Sequence, residues 1–98
     1  MEYKYIDFIN FKIEDSSENI AKIRKNIIFK LTDVRDSIDS LLANIEKTSS
    51  FSIQRVCGNA SDRLHDTVVL AGRIESLEDT IHILEIARNR ETQKGETT

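Results

Sequence analysis

Two Asp-x-x-His spacings are the residues best suited to chemistry in this 98-residue chain: Asp62 with His65, and Asp79 with His82. Residues three apart lie on one face of a helix, so each pair could offer two ligands to a metal ion. The two pairs are 17 residues apart, which is roughly 25 Å along a helix, so they could not share one metal within a chain. We therefore interpret both histidines as solvated surface residues and predict no metal site.

No other group of residues has the arrangement of a catalytic site. Cys57 is the one cysteine, so it cannot form an internal disulfide, and only Arg55 nearby would favour a reactive thiol. The three glycines, at positions 58, 72 and 95, are scattered and form no phosphate-binding loop. The sequence therefore predicts a protein that is not an enzyme and that holds no cofactor.

Composition and charge narrow the remaining function classes. Proline is absent and glycine occurs only three times, which favours long uninterrupted helices. The net charge of −3 argues against a nucleic-acid binder held by phosphate contacts. No apolar run is long enough for a transmembrane helix, and the start of the chain lacks the pattern of a secretory signal. We therefore expect a cytoplasmic protein, with export independent of a signal peptide left open.

Residues 1–13 alternate in hydrophobicity as a strand does, and they are rich in aromatic and β-branched residues. We predict an N-terminal extended or strand segment here, with helix or disorder as the alternatives, since Ile6, Ile9 and Ile13 also fit a helical stripe. A single apolar strand is not stable alone. It would have to pack on its own helices, pair with a second copy, or add to a partner's sheet. One face of the predicted strand would carry Tyr3, Tyr5, Ile9, Phe11 and Ile13.

Residues 14–91 predict a helical hairpin. A helix at about 15–47 is followed by a bend at about 48–52, where serine and threonine cluster, and by a second helix at about 53–91. Gly58-Asn59 allows a further break, and the polar residues 92–98 are predicted to form a flexible tail. The apolar spacing gives a first seam of Ile20, Ile23, Ile27, Leu31, Val34, Ile38, Leu41 and Ile45. It gives a second seam of Leu64, Val68, Ala71, Ile74, Leu77, Ile81 and Leu84.

The charged residues form two blocks of opposite sign. Folding the chain back near residue 50 would place position 22 opposite about 78, so that the blocks meet in an antiparallel pair. Such exposed pairs contribute little individually but disfavour wrong alignments; chance placement on solvated faces is the alternative. The basic block is Lys22, Arg24, Lys25 and Lys30, and the acidic block is Glu75, Glu78, Asp79 and Glu85.

The predicted fold class is all-α: a long, coiled-coil-like antiparallel hairpin with a short N-terminal extended segment. The apolar stripes on the two predicted helices are too wide for the helices to cover each other completely. Apolar surface that stays exposed usually marks a site of association. We therefore expect the hairpin to assemble into a helical bundle. The predicted function is a non-enzymatic protein–protein interaction module, such as an adaptor, chaperone or small subunit. The predicted partner-binding residues are Tyr3, Tyr5, Ile9, Phe11, Ile27, Leu31, Val34, Ile38, Leu41, Leu70, Ile74, Leu77, Ile81 and Leu84.

The length and hairpin layout are similar to those of the WXG100 class of type VII secretion proteins, which implies a secretion-system partner. The bend reads Phe51-Ser52-Ile53 where that class carries Trp-x-Gly. The alternative function is a small inhibitor or regulator of an enzyme, such as an antitoxin or a phage-encoded blocker. In either case we expect a protein partner or a homo-oligomer, with a dimer favoured, no nucleic acid and no membrane span.

Overall fold

The computed structural model describes the backbone of residues 2–97 and the side chains of residues 5–94. Helix α1 spans Glu2–Ala43, a single 3-10 turn spans Ile45–Lys47, and helix α2 spans Ser50–Thr97. The predicted all-α helical hairpin is confirmed, and the described part of the chain contains no strand. The chain divides into two compact units: residues 1–22 with residues 73–98, and residues 23–72.

The unit of residues 23–72 contains the bend and a seam between the two helices. Along each helix the seam residues alternate three and four apart, which is the heptad spacing of helices packed side by side. Val34 and Ala60 are among the least exposed residues of this unit, at 6% and 8%. The seam is formed by Ile23, Ile27, Lys30, Val34, Ser37 and Leu41 on α1, and by Ile53, Val56, Ala60, Arg63, Thr67 and Leu70 on α2.

The unit of residues 1–22 with 73–98 has a seam with the same spacing. Ile9 is 2% exposed and Ile74 is 7% exposed, and Ser16, at 7%, is the one buried polar residue among the described side chains. The seam is formed by Ile6, Ile9, Ile13, Ser16 and Ile20 on α1, and by Ile74, Leu77, Ile81, Leu84, Arg88 and Glu91 on α2.

The prediction of an extended or strand segment over residues 1–13 was wrong for residues 2–13, which are helical. The aromatic and β-branched residues that suggested a strand have only a weak intrinsic preference, which packing overrides. Ile6, Ile9 and Ile13 fit the helical alternative, and they lie on the side of α1 that faces α2. Phe8 and Phe11 lie outside the packed seam and are 54% and 61% exposed.

The bend lies slightly earlier than predicted. Helix α1 ends at Ala43, and the Asn44 carbonyl accepts hydrogen bonds from the Lys47 amide and the Thr48 hydroxyl, at 3.0 and 2.6 Å. Helix α2 then continues through Gly58-Asn59, where the sequence allowed a break. It also continues to Thr97, so the helix ends about six residues beyond the predicted boundary at 91.

The first seam differs from the predicted one between Ile27 and Leu41. Lys30 takes the place expected for Leu31, and Ser37 takes the place expected for Ile38. The alternation of three and four continues without a break from Ile9 to Leu41, whereas the predicted seam has two consecutive four-residue steps, from Ile23 to Ile27 and on to Leu31. Leu31 and Ile38 are consequently displaced to the flank of the seam, where they are 42% and 40% exposed.

Among the described side chains, the ion pairs between the helices do not join the two predicted charge blocks. Lys30 pairs with Asp66, Nζ to Oδ2 at 3.9 Å, and Arg63 pairs with Asp33 at 3.1 Å. These contacts set residues 30 and 33 opposite 66 and 63, which shifts the alignment by four residues from the predicted one. The block-to-block pairing was therefore wrong, because the seam sets the register more strongly than exposed charges do.

Candidate functional site: an exposed apolar face

One side of the 23–72 unit carries the ion pairs that join the two helices. In heptad lettering the seam residues are a and d, and positions e and g flank them. The two acids that reach across the hairpin, Asp33 and Asp66, both occupy g positions, and their partners Arg63 and Lys30 are both d residues. The g positions of both helices therefore lie on one side of this unit, as antiparallel packing requires.

The opposite side of the same unit carries an apolar stripe from each helix. It comprises the e positions and the neighbouring b positions, which antiparallel packing brings to one side of the hairpin. On α1 the stripe consists of Ile28, Leu31, Arg35, Ile38 and Leu42, and on α2 it consists of Cys57, Ser61, Leu64, Val68 and Ala71. We call this surface the e/b face.

The large side chains of the e/b face are open to solvent. Ile28 is 63% exposed, Leu42 is 65% exposed and Val68 is 68% exposed. Leu64, at 44%, is covered only in part. Single exposed apolar residues are normal on a protein surface, but a contiguous apolar patch marks a site of interaction. Burying one such aliphatic side chain is worth about 1.5–3 kcal/mol, so covering this face with a partner would yield substantial binding energy.

The two helices contribute differently to the e/b face. The α1 stripe consists of branched aliphatic side chains, interrupted by Arg35, which pairs with its neighbour Asp36 at 3.3 Å. The α2 stripe is built mainly from small residues, with Leu64 and Val68 at its centre. The α1 side of the face is therefore aliphatic along most of its length, whereas the α2 side has large aliphatic residues only at Leu64 and Val68.

The other unit exposes aromatic residues on α1 and aliphatic residues on α2. Tyr5 is 49% exposed, and Phe8 and Phe11 are exposed further along the same helix. The Lys12 ammonium lies 5.5 Å from the centre of the Phe8 ring, within the range of a cation–π contact. On α2 this unit exposes Ile83 and Ile86.

The predicted partner-binding residues divide into three groups. Tyr5, Phe11, Leu31 and Ile38 are exposed. Tyr3 lies outside the described side chains. The remainder are buried or half-buried in the seams of the hairpin itself: Ile9, Ile27, Val34, Leu41, Leu70, Ile74, Leu77, Ile81 and Leu84.

On the e/b face, the exposed large apolar residues absent from that prediction are Ile28, Leu42, Leu64 and Val68. The two residues on α1 could have been predicted from the sequence, because each directly follows a seam residue: Ile28 follows Ile27, and Leu42 follows Leu41. Leu64 and Val68 were assigned to the second seam. The assignment of Val68 was wrong because the polar residue Thr67 occupies that position of the seam in the structure.

Neither Asp-x-x-His pair belongs to a larger group of possible metal ligands among the described residues. His65 and His82 are both exposed. Within the described residues, no group of three or more His, Cys, Asp or Glu side chains could hold a metal ion. Cys57 is a free, exposed thiol. No described helix has the length and hydropathy that a membrane crossing requires.

No protein-family model matches the chain, and no significant match was found among curated proteins or solved structures. The similarity to the WXG100 class therefore remains one of length and hairpin layout.

Proposed function

We propose that this protein is a non-enzymatic helical interaction module, an adaptor, chaperone or small subunit, that binds its partner through the e/b face of residues 23–72. The observation that carries the proposal is that both helices place solvent-exposed aliphatic residues on the same side of the hairpin, with Ile28, Leu42 and Val68 each more than 60% exposed. A partner helix laid against this side would remove them from water.

The seam beneath the face supports the same function. Ile23, Ile27, Val34 and Leu41 on α1 are already covered by α2, so the hairpin can form without its partner. The exposed stripe is thus additional to what the hairpin needs for its own packing. An amphipathic helix docked in an apolar groove is an established recognition mode, and the anchoring residues would be three and four apart.

Site-specific photo-crosslinking in the native host would test the proposal. In one variant, a benzophenone amino acid replaces Leu31 on the e/b face. In the control variant, it replaces Phe29, which is 69% exposed on the other side of α1. We expect a discrete adduct from position 31 only. The adduct should disappear when Val68→Glu is added, because a carboxylate would then be buried without a partner.

The proposal predicts a difference between the two crosslinking positions. Equal adducts from positions 29 and 31, or none from position 31, would contradict it. The mass of the adduct also separates a second copy of the chain from another protein.

A further inference from the structure

We infer that the partner covering the e/b face is a second copy of this chain, so that two hairpins form a four-helix bundle over residues 23–72. The inference rests on the proposed function and names its partner. Two features favour a second copy: the amount of surface that the chain leaves exposed, and the way in which the apolar residues of the two stripes fall at the same levels.

The first argument is one of area. Folded monomeric proteins of 11.2 kDa expose roughly 5,700 Å² according to the empirical scaling of surface with mass. This chain exposes 7722 Å², an excess of about 2,000 Å² over that scaling. Each subunit of an obligate homodimer buries about 1,000–2,500 Å². The excess belongs to the whole chain, and covering the e/b face with a second copy would remove part of it.

The second argument is self-complementarity. In a two-fold dimer whose axis runs along the helices, α1 of one copy stacks on α2 of the other, and each residue keeps its level along the hairpin. The aliphatic residues of α1 then meet aliphatic residues of α2: Ile28 lies near the level of Val68, and Leu31 lies near that of Leu64. An isologous interface must fit itself in this way.

Arg35 is compatible with the same arrangement. Its level in the bundle is that of Ser61, a small residue on the α2 stripe. The aliphatic stem of Arg35 can therefore lie across the interface while the guanidinium reaches the solvent and keeps Asp36 as its neighbour.

Matched substitutions at adjacent residues test the inference. Val68→Glu and Ile28→Glu place a carboxylate on the e/b face, whereas Val69→Glu and Phe29→Glu place it on the other side of the same helices. All four positions are more than half exposed in the single chain, so each variant should keep its helical circular dichroism spectrum. Sedimentation equilibrium measures the mass of each protein over a range of concentrations.

We expect the unmodified chain to sediment at twice 11.2 kDa. Val68→Glu and Ile28→Glu should raise the dimer dissociation constant at least about 100-fold, because each dimer would bury two unpaired charges. Val69→Glu and Phe29→Glu should leave it within a few-fold of the original value.

Two results would overturn the inference. One is a chain that stays monomeric at 0.1 mM, chosen as roughly 100 times a micromolar affinity. The other is dissociation by the variants at 29 and 69 with none at 28 and 68. If the chain is monomeric but position 31 still crosslinks to a different protein, self-association is refuted while the interaction module stands. If position 31 gives no adduct and the chain is monomeric, both proposals fail.

Discussion

The Arg88 guanidinium donates a hydrogen bond to the side-chain oxygen of Asn10, 3.1 Å away and 78 residues earlier in the chain. This contact joins the first turns of α1 to the last third of α2 within one unit. Both side chains are partly buried, so the bond is shielded from competing water. It lies one residue beyond Ile9, the least exposed side chain of the hydrophobic core.

Replacing Asn10 with alanine should loosen the start of α1. The Arg88 guanidinium would lose an acceptor in a partly buried setting, at a cost of about 1 kcal/mol. Hydrogen exchange at the amides of residues 5–13 should accelerate relative to the rest of α1. Asn26→Ala is the matched control, since Asn26 is exposed and its replacement changes only helix propensity. Equal exchange rates in the two variants would show that the contact has no role in holding the helix.

Ile9 and Phe11 distinguish a helical from a strand-like N-terminal segment. In a strand both would lie on one face, and alanine at either position would have a similar effect. In the helix Ile9 is 2% exposed and Phe11 is 61% exposed. Ile9→Ala should therefore lower the free energy of unfolding by about 2–4 kcal/mol, and Phe11→Ala by less than about 1 kcal/mol. Urea unfolding followed by circular dichroism measures both, and similar losses would argue for the strand.

Ser49 caps the start of α2. Its hydroxyl oxygen accepts a hydrogen bond from the Ser52 amide at 3.2 Å, and its carbonyl accepts one from the Ile53 amide at 3.0 Å. Ser49→Ala removes the side-chain bond and should cost about 1 kcal/mol, which lowers the melting temperature by about 4–8 °C in a domain of this size. Ser50→Ala, the first residue inside the helix, is the control. A melting temperature unchanged by Ser49→Ala would mean that the cap does not stabilise the hairpin.

Gly58 and Gly72 lie inside α2 without a packing reason. A Cβ atom added at either position would meet no heavy atom within 4 Å. Because glycine is about 1 kcal/mol less favourable than alanine in a helix interior, Gly58→Ala and Gly72→Ala should each raise the free energy of unfolding by about 0.5–1 kcal/mol. The double variant should show the sum, since the sites are well separated. Thermal melting measures the gain, and a loss at either site would reveal a close contact.

The hairpin itself was predictable from the sequence, because the absence of proline permits long helices and the spacing of the apolar residues favours them. The segment from Leu70 to Leu84 illustrates this: its three- and four-residue steps coincide with half-buried and buried positions in the structure. Such local periodicity is set by helix geometry alone. The helical character of residues 2–13 was harder to predict, because residue types favoured a strand while the positions of Ile6, Ile9 and Ile13 favoured a helix.

The candidate site was only partly predictable for a different reason. Choosing the most apolar residue at each turn selects Leu31 and Val68 for the seams. The structure instead keeps an unbroken alternation and accepts Lys30 and Thr67, because a long lysine stem can cover apolar surface while its ammonium reaches Asp66. Which residues face the other helix is thus decided by continuity along the whole seam, and that information is not local.

The unbroken seam also restricts how the length of this chain could change during evolution. Each inserted or deleted residue rotates the rest of the helix by about 100° about its axis. Beyond that point, flank residues such as Leu31 would turn toward the seam, and seam residues such as Lys30 would turn away from it. A change of seven residues restores both the seam and the e/b face to within about 20°. We therefore expect natural length variants of the helices to differ by whole heptads, added to α1 and α2 together, with irregular lengths confined to residues 44–49.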